Sequence, residues 1–169
     1  MADPYSLISR PFLDEQQCRT IIDRYDHDLE HVEQSVYRKV NIKLIDVDEI
    51  RGLEDILFQA NEKIFNFDLN GDSEIYFARY ETGNHYDKIH IDSLPNIITR
   101  KVSFTLFLND DYQGGDFEII GETLSYDKMN TTRKGKLFVF PSFLPHKVTP
   151  ILSGTRYVVF GFLLGPRLK

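Results

Sequence analysis

The sequence has only one cysteine, Cys18, among its 169 residues. A single thiol excludes an intramolecular disulfide, and it also excludes a metal site built from several cysteines. No apolar run approaches the roughly 18 residues that a membrane helix needs. The first residues contain no basic segment followed by a long apolar run, which is the pattern of a secretory signal. We therefore expect a cytoplasmic protein with no membrane partner.

Basic residues are outnumbered, because 20 lysines and arginines stand against 26 aspartates and glutamates, giving a formal net charge of −6. Nucleic-acid binding depends on basic patches, so we expect no nucleic-acid partner. Internal repeats and low-complexity tracts are also absent. The length suits one domain with a sizeable core, and we expect residues 1–169 to form it. The oligomeric state is left open.

The first part of the chain, to about residue 70, has the apolar spacing of helices. The predicted elements are a helix over 15–29 with Asp14 as its N-cap, a strand over 35–45, and a helix over 46–66 that begins with a capping box formed by Asp46 and Glu49. We expect this part to be mostly helical support that packs on a sheet.

From residue 73 onward the hydrophobic period changes to two, and most of the 13 phenylalanines and 9 tyrosines follow residue 64. The predicted strands cover about 74–81, 87–91, 99–109, 116–120, 135–140, 145–149 and 155–164. Many short strands separated by turns predict a sandwich or barrel. The expected fold is mainly β with N-terminal helices, an α+β arrangement whose β core spans about 73–165.

The most informative stretch is His90-Ile91-Asp92. In an extended segment, side chains two residues apart leave the same face, so the His90 imidazole and the Asp92 carboxylate can converge on one point. His146 is the best candidate for a third ligand. Two histidines and one carboxylate are the ligand set of non-haem Fe(II) oxygenases. Any one of these residues alone is more often structural, so the prediction of a metal site depends on their combination.

Arg156 follows His146 after a turn marked by Pro150 and Gly154. The apolar runs on either side of that turn predict an antiparallel hairpin, in which His146 and Arg156 lie opposite each other, about 5 Å apart at Cβ. A guanidinium can hold a carboxylate by paired, charge-assisted hydrogen bonds. The arrangement therefore favours a dicarboxylate cosubstrate beside the metal.

These residues and their flanks resemble the 2-oxoglutarate- and Fe(II)-dependent dioxygenases, in particular their prolyl 4-hydroxylase branch. The matching segments are Arg79-Tyr80 with Gly83 and Tyr86, then Leu108-Asn109, Gly114-Gly115, the run from Pro145 to Pro150, and Gly154-Thr155-Arg156-Tyr157. The resemblance covers roughly residues 73–165. It implies a double-stranded β-helix, a jelly roll of the cupin kind, backed by two or more helices.

The resemblance also implies a function and a set of cofactors. The expected activity is hydroxylation of an unactivated C–H bond, most simply prolyl 4-hydroxylation of a proline-containing peptide or protein, with release of succinate and CO2. The cofactors are Fe(II), 2-oxoglutarate as cosubstrate and O2, with ascorbate as an optional addition. The implied site residues are the iron ligands His90, Asp92 and His146, and the cosubstrate-binding residues Arg156, Tyr80 and Thr149.

Two positions depart from the family pattern. Phe107 stands where related hydroxylases have a tyrosine whose hydroxyl supports the cosubstrate, and Tyr86 lies four residues before His90 instead of three. The extra residue predicts a bulge ahead of His90. Two other readings stay open. One is the same chemistry on a free amino acid or another small molecule, and the other is a non-catalytic jelly-roll metal-binding module.

Overall fold

The structure is a computed structural model that describes residues 8–34, 36–93, 98–120 and 133–167. Within these ranges the chain forms two α-helices and twelve β-strands. The helices are α1 Glu15–Tyr25 and α2 Leu53–Ala60. The strands are β1 Ile8–Pro11, β2 Glu30–Gln34, β3 Arg38–Ile45, β4 Ser73–Tyr80, β5 Tyr86–His90, β6 Ile98–Phe107, β7 Gln113–Gly114, β8 Phe117–Ile119, β9 Lys136–Pro141, β10 His146–Val148, β11 Ile151–Ser153 and β12 Arg156–Pro166.

The strands form two main sheets that face each other. The large sheet has the order β1-β9-β6-β12-β4-β3-β2, and the small sheet has the order β5-β10-β8. Strands β7 and β11 pair separately. One buried cluster joins Val148 of the small sheet to Ala78, Phe107 and Val158 of the large sheet, so the two sheets share a core. This arrangement confirms the predicted double-stranded β-helix.

The large sheet has two different faces because its side chains alternate. On β12, Val159 and Leu163 belong to a core cluster shared with Cys18 of α1 and Leu57 of α2. The alternate residues Val158, Phe160 and Phe162 point to the small sheet instead, and they line the cavity between the sheets. The helices therefore cover one face of the large sheet and leave the other for the site, as the period-two pattern predicts.

Helix α1 begins where the sequence predicts and ends earlier. Asp14 is its N-cap and forms a full capping box with Gln17. The helix stops at Tyr25 and not at residue 29, and the chain then turns through Asp28, which has a φ of 52°. His31, six residues beyond the end of the helix, lies on β2, where its Nδ1 hydrogen-bonds Asn41 Oδ1 at 2.8 Å.

The single helix predicted over residues 46–66 is wrong. Asp46 caps a 3-10 turn, Val47–Glu49, by accepting from the amide of Asp48, and it does not form a capping box with Glu49. Gly52 then takes a φ of 78°, which a right-handed helix does not allow, and α2 starts only afterwards. A π-helical turn, Asn61–Phe65, continues α2. The apolar residues of this segment do face the core, as the burial of Leu53, Leu57 and Ala60 shows. The local breaks divide the segment into three shorter helical pieces.

Asp26 connects the end of α1 to the large sheet. Its carboxylate accepts hydrogen bonds from Arg79 Nη1 and from the Tyr157 hydroxyl, both at 2.7 Å. Arg79 and Tyr157 lie side by side on β4 and β12. Burial, followed by this hydrogen bond, raises the pKa of Tyr157 to about 12.

Replacing Asp26 by alanine should lower the free energy of unfolding by about 2 kcal/mol, because two donors lose a charged acceptor. Urea denaturation measures this loss, and spectrophotometric titration should show the pKa of Tyr157 moving back toward its usual 10. Asp23→Ala is the matched control, because Asp23 is an exposed residue of the same helix. Equal stability of the two variants would contradict the role assigned to Asp26.

Among the residues that the structure describes, no helix is long and apolar enough to cross a membrane.

Candidate active site

Two histidines lie next to each other on the small sheet. His90 ends β5 and His146 begins β10, and antiparallel pairing places the two residues directly opposite each other. Their ring centroids are 4.3 Å apart. His146 is buried because β10 is the central strand, flanked by β5 and by β8. The pairing register therefore brings together two imidazoles that are 56 residues apart in the sequence.

Both rings are oriented by hydrogen bonds of the same kind. His90 Nδ1 lies 2.8 Å from the carbonyl oxygen of Lys88, and His146 Nδ1 lies 2.9 Å from the carbonyl oxygen of Leu144. A carbonyl can only accept, so each Nδ1 carries the hydrogen and each Nε2 keeps a free lone pair. This is the usual way in which a protein prepares a histidine to bind a metal through Nε2.

Asp92 completes the cluster from the loop after β5. One carboxylate oxygen lies 3.8 Å from His90 Nε2, and the other lies 3.4 Å from His146 Nε2. Ser103 Oγ donates to Asp92 Oδ2 at 2.7 Å and also lies 2.8 Å from Ser142 Oγ. The backbone amide of Asp92 donates to the carbonyl of Ser142. The carboxylate is therefore held from behind by a buried pair of serines.

One potential ligand atom from each of His90, Asp92 and His146 lies within 4.8 Å of the other two. Three nitrogen and oxygen donors at this spacing can bind one divalent ion from one side. Burial, and then the neighbouring His146, lowers the pKa of His90. A lowered pKa keeps the imidazole neutral near pH 7, which is the form that binds metals.

Arg156 lies on the large sheet, across the cavity from this cluster. It is 1% exposed, and its guanidinium carbon lies 4.9 Å from the ring centroid of Tyr80 and 5.3 Å from that of Phe107. Its Nε and Nη1 are buried and have no hydrogen-bond partner among the described residues. A buried, unpaired cation is costly, so the geometry fits an anion bound against these donors.

The Arg156 side chain packs closely against the backbone of Gly115, one of the two glycines in the Gly114-Gly115 segment. A Cβ at Gly115 would lie 3.1 Å from Arg156 Cδ and would overlap Ile151 Cδ1. The backbone at Gly115 also has a φ of 62°, which side chains rarely adopt. Glycine is therefore needed here for the arginine to fit.

The predicted hairpin between His146 and Arg156 is wrong. Strand β10 pairs with β5 and β8 in the small sheet, whereas β12 pairs with β4 and β6 in the large sheet. Pro150 has no N–H with which to extend the ladder from β10, and β11 then pairs with β7 and leads the chain to the other sheet. The two residues still line the same cavity, but they do so from opposite walls.

The two other residues expected to bind the cosubstrate have different positions. Tyr80 pairs with Arg156 across β4 and β12 and lines the cavity. Thr149 is not among the lining residues, and its hydroxyl accepts a hydrogen bond from the Asp116 amide at 2.8 Å. The structure therefore does not bring Thr149 to the site. Thr105 of β6 does line the cavity.

The cavity lies between the two sheets and contains about 820 Å³ of empty space, including the part that opens to solvent. The bulge expected ahead of His90 is confirmed by the pairing register. His90 pairs with His146 and Tyr86 pairs with Val148, so a step of four residues along β5 matches a step of only two along β10. It leaves Tyr86 stacked on His90, with centroids 3.7 Å apart and planes inclined by 13°.

Sequence reasoning missed two residues of the site. Ser103 could have been found, since it alternates with Thr105 and Phe107 on the cavity-facing side of β6. Arg38 begins β3 and lines the cavity. No sequence signal distinguished it from a surface cation, because only the packing of β3 beside β4 brings it to the site.

Comparison with known proteins gives a consistent set of relatives. A model of the 2OG-Fe(II) oxygenase superfamily matches residues 75–164. A PKHD-type hydroxylase from Idiomarina loihiensis is 32% identical over 93 residues, which is 54% of this chain and 42% of the relative. The match thus spans about two fifths of the length of such curated relatives.

Two solved structures have the same fold over almost the whole chain. A Pseudomonas putida prolyl-4-hydroxylase has a TM-score of 0.74 and 25% identity, covering 98% of this chain and 94% of its own. A Trichoplax adhaerens prolyl hydroxylase, solved with a peptide fragment of the hypoxia inducible factor oxygen degradation domain, has a TM-score of 0.67 and 21% identity. The latter match covers 95% of this chain and 83% of that one.

Proposed function

The chain belongs to the 2OG-Fe(II) oxygenase superfamily, and from that membership we propose that it hydroxylates a prolyl residue of a peptide or protein, converting 2-oxoglutarate and O2 to succinate and CO2. The observation that carries the proposal is one cavity that contains both a three-donor cluster and a buried, unpaired arginine. The prolyl target is supported by the likeness to the Pseudomonas putida enzyme.

The donor set fits Fe(II), since two histidines and one carboxylate would bind the ion from one side and leave its other positions open. His90, Asp92 and His146 would hold it. When bound, iron together with 2-oxoglutarate and O2 supplies the oxidising chemistry that the side chains lack. The protein contributes orientation of the ligands, binding of the cosubstrate and exclusion of water from the inner cavity.

Arg156 would bind the distal carboxylate of 2-oxoglutarate through its guanidinium, two of whose nitrogens are buried without a partner among the described residues. Phe107 lies against the guanidinium but offers no hydroxyl. Thr105 is two residues earlier on β6, on the same face, and its side chain lines the cavity together with Arg156. We therefore assign Thr105 as the second partner of the carboxylate, in place of the tyrosine found in related hydroxylases.

Replacing Thr105 by valine, which keeps the shape and removes the hydroxyl, should raise the KM for 2-oxoglutarate by about tenfold. Phe107→Tyr restores the hydroxyl that the family pattern contains and should lower the KM in the Thr105→Val background. Steady-state succinate formation measures both effects. An unchanged KM in Thr105→Val would remove Thr105 from the site.

Ser103→Ala should lower the affinity for Fe(II) by about 10- to 100-fold, which is the usual effect of removing a partner that orients a metal ligand. The reason is that Asp92 loses the hydroxyl that fixes its second oxygen. Anaerobic titration with Fe(II) measures the affinity, and Ser73→Ala on β4 provides a control outside the cavity lining. Wild-type affinity in Ser103→Ala would show that Asp92 needs no such support.

The direct test is succinate formation by the protein loaded with iron under anaerobic conditions and then given 2-oxoglutarate, O2 and ascorbate, with and without proline-containing peptides. Turnover that increases with a peptide, and hydroxyproline found in that peptide by mass spectrometry, are the expected results. Turnover stimulated only by a free amino acid would identify a small-molecule oxygenase. Iron binding without succinate under any condition would favour a non-catalytic metal-binding module.

A further inference from the structure

We propose that Arg38 is a specificity-determining residue that binds a carboxylate of the substrate, so that this enzyme selects acidic substrates. The proposal rests on the proposed function, because it needs a substrate to enter the cavity. It concerns a second anion, separate from the cosubstrate that Arg156 would hold.

Arg38 is close to the proposed metal ligands. It lines the same cavity as His90, Asp92 and His146, although it comes from β3 near the edge of the large sheet. Its guanidinium carbon lies 5.1 Å from the centroid of the Tyr86 ring, and that ring stacks on His90. This cation and the imidazole of a proposed iron ligand therefore contact the same aromatic ring.

Arg38 is also unpaired, whereas five of the ten arginines form ion pairs within the described part of the chain. The ion pairs of the described residues join Arg19 to Glu15, Arg24 to Glu49, Arg79 to Asp26, Arg100 to Glu74 and Arg133 to Asp116. Arg38 has no ion pair in that part of the chain, and its Nε is buried without a hydrogen-bond partner. Arg10, Arg51 and Arg167 also lack an ion pair among the described residues, but they are exposed, whereas Arg38 is half-buried at the cavity.

The two other arginines that line the cavity already have a partner or a proposed role. Arg100 also lines it, but two of its nitrogens donate to Glu74 at 3.1 and 2.6 Å. Arg156 faces the space assigned to 2-oxoglutarate. Arg38 is thus the cation available to a group on the substrate, and a guanidinium matches a carboxylate by paired hydrogen bonds. The carboxylate can be an Asp or Glu side chain near the target residue, or the acid group of a small molecule.

Binding to the zinc-loaded protein saturated with 2-oxoglutarate tests the proposal, because zinc does not support turnover and Arg156 is then occupied. One arm uses end-blocked proline peptides with Asp on either side of the proline, compared with the same peptides carrying Asn. The other arm compares free proline with prolinamide. We expect the acid to bind about tenfold more tightly than its amide in at least one arm.

Variants assign that preference to a residue. Arg38→Gln should reduce the acid-to-amide ratio to within about twofold, Arg38→Lys should keep part of it, and the exposed helix variant Arg19→Gln should keep all of it. The arm in which the ratio is lost identifies the source of the carboxylate. Equal or unmeasurable binding of acid and amide in the wild type, or a preference that survives Arg38→Gln, overturns the proposal.

Succinate formation, measured separately with iron, distinguishes this inference from the proposed function. An acid preference that depends on Arg38 without any succinate would support the role of Arg38 and contradict the oxygenase activity. Succinate formed equally well with acidic and amide substrates would support the oxygenase activity and contradict the role of Arg38.

Discussion

Replacing His146 by alanine should abolish succinate formation and weaken iron binding by more than about 100-fold, since loss of an outer partner alone typically costs 10- to 100-fold. His146 is buried on the central strand of the small sheet, and its Nε2 has been freed for a ligand by the bond from Nδ1 to Leu144. No other described histidine or acid lies within the cluster to replace it. Anaerobic iron titration and succinate assay measure the two effects.

A buried histidine also contributes to packing, so the variant needs controls for folding. His90→Ala should have the same effect on iron and succinate, although its ring lies on the edge strand β5 and is less buried. His27→Ala, at an exposed position, should leave both unchanged. Iron bound at wild-type affinity by a folded His146→Ala protein would refute the assignment of this residue as a ligand.

Arg156→Met should weaken binding of 2-oxoglutarate by about 100-fold or more, because truncating one partner of a buried charge pair costs several kcal/mol. The same variant should be at least as stable as the wild type when no 2-oxoglutarate is present. In the wild type, the Arg156 guanidinium is buried and two of its nitrogens have no partner among the described residues. Replacing such a cation by an apolar side chain of similar length removes a desolvation penalty. Isothermal titration and thermal unfolding, each with and without 2-oxoglutarate, measure the two changes.

The opposite signs of these changes make the test specific. If Arg156 were purely structural, its removal would lower the stability of the unliganded protein. The increase in Tm that 2-oxoglutarate produces would then be unchanged. Arg19→Met, on the exposed face of α1, should reproduce the wild type in both measurements. Unchanged binding of 2-oxoglutarate in Arg156→Met would exclude the arginine from the cosubstrate site.

The parts of the fold that depend on local chemistry could be predicted from the sequence. Asp14 begins α1 as expected, because an N-cap depends only on residues within one turn of the chain. His90 and Asp92 converge because they are two residues apart. The end of α1 could not be predicted in the same way, since Asp26 accepts hydrogen bonds from Arg79 and Tyr157, which are distant in the sequence.

The errors in the site have a similar cause. The turn residues between His146 and Arg156 are compatible with a hairpin, and only the pairing of β10 with the distant strands β5 and β8 excludes one. Arg38 was not predicted because its neighbours in the cavity come from other strands. The roles of His90, Asp92, His146, Arg156 and Tyr80 stay predictions that the variants above can test.

The division of the site between two sheets has a mechanical consequence. The proposed iron ligands belong to the small sheet and its adjoining loop, whereas Arg156 belongs to the large sheet. A dicarboxylate that chelated the metal at one end and formed an ion pair with Arg156 at the other would connect the two sheets. Amide hydrogen exchange should therefore slow in β10 and in β12 together when 2-oxoglutarate binds, and in Arg156→Met the slowing should be lost from both strands.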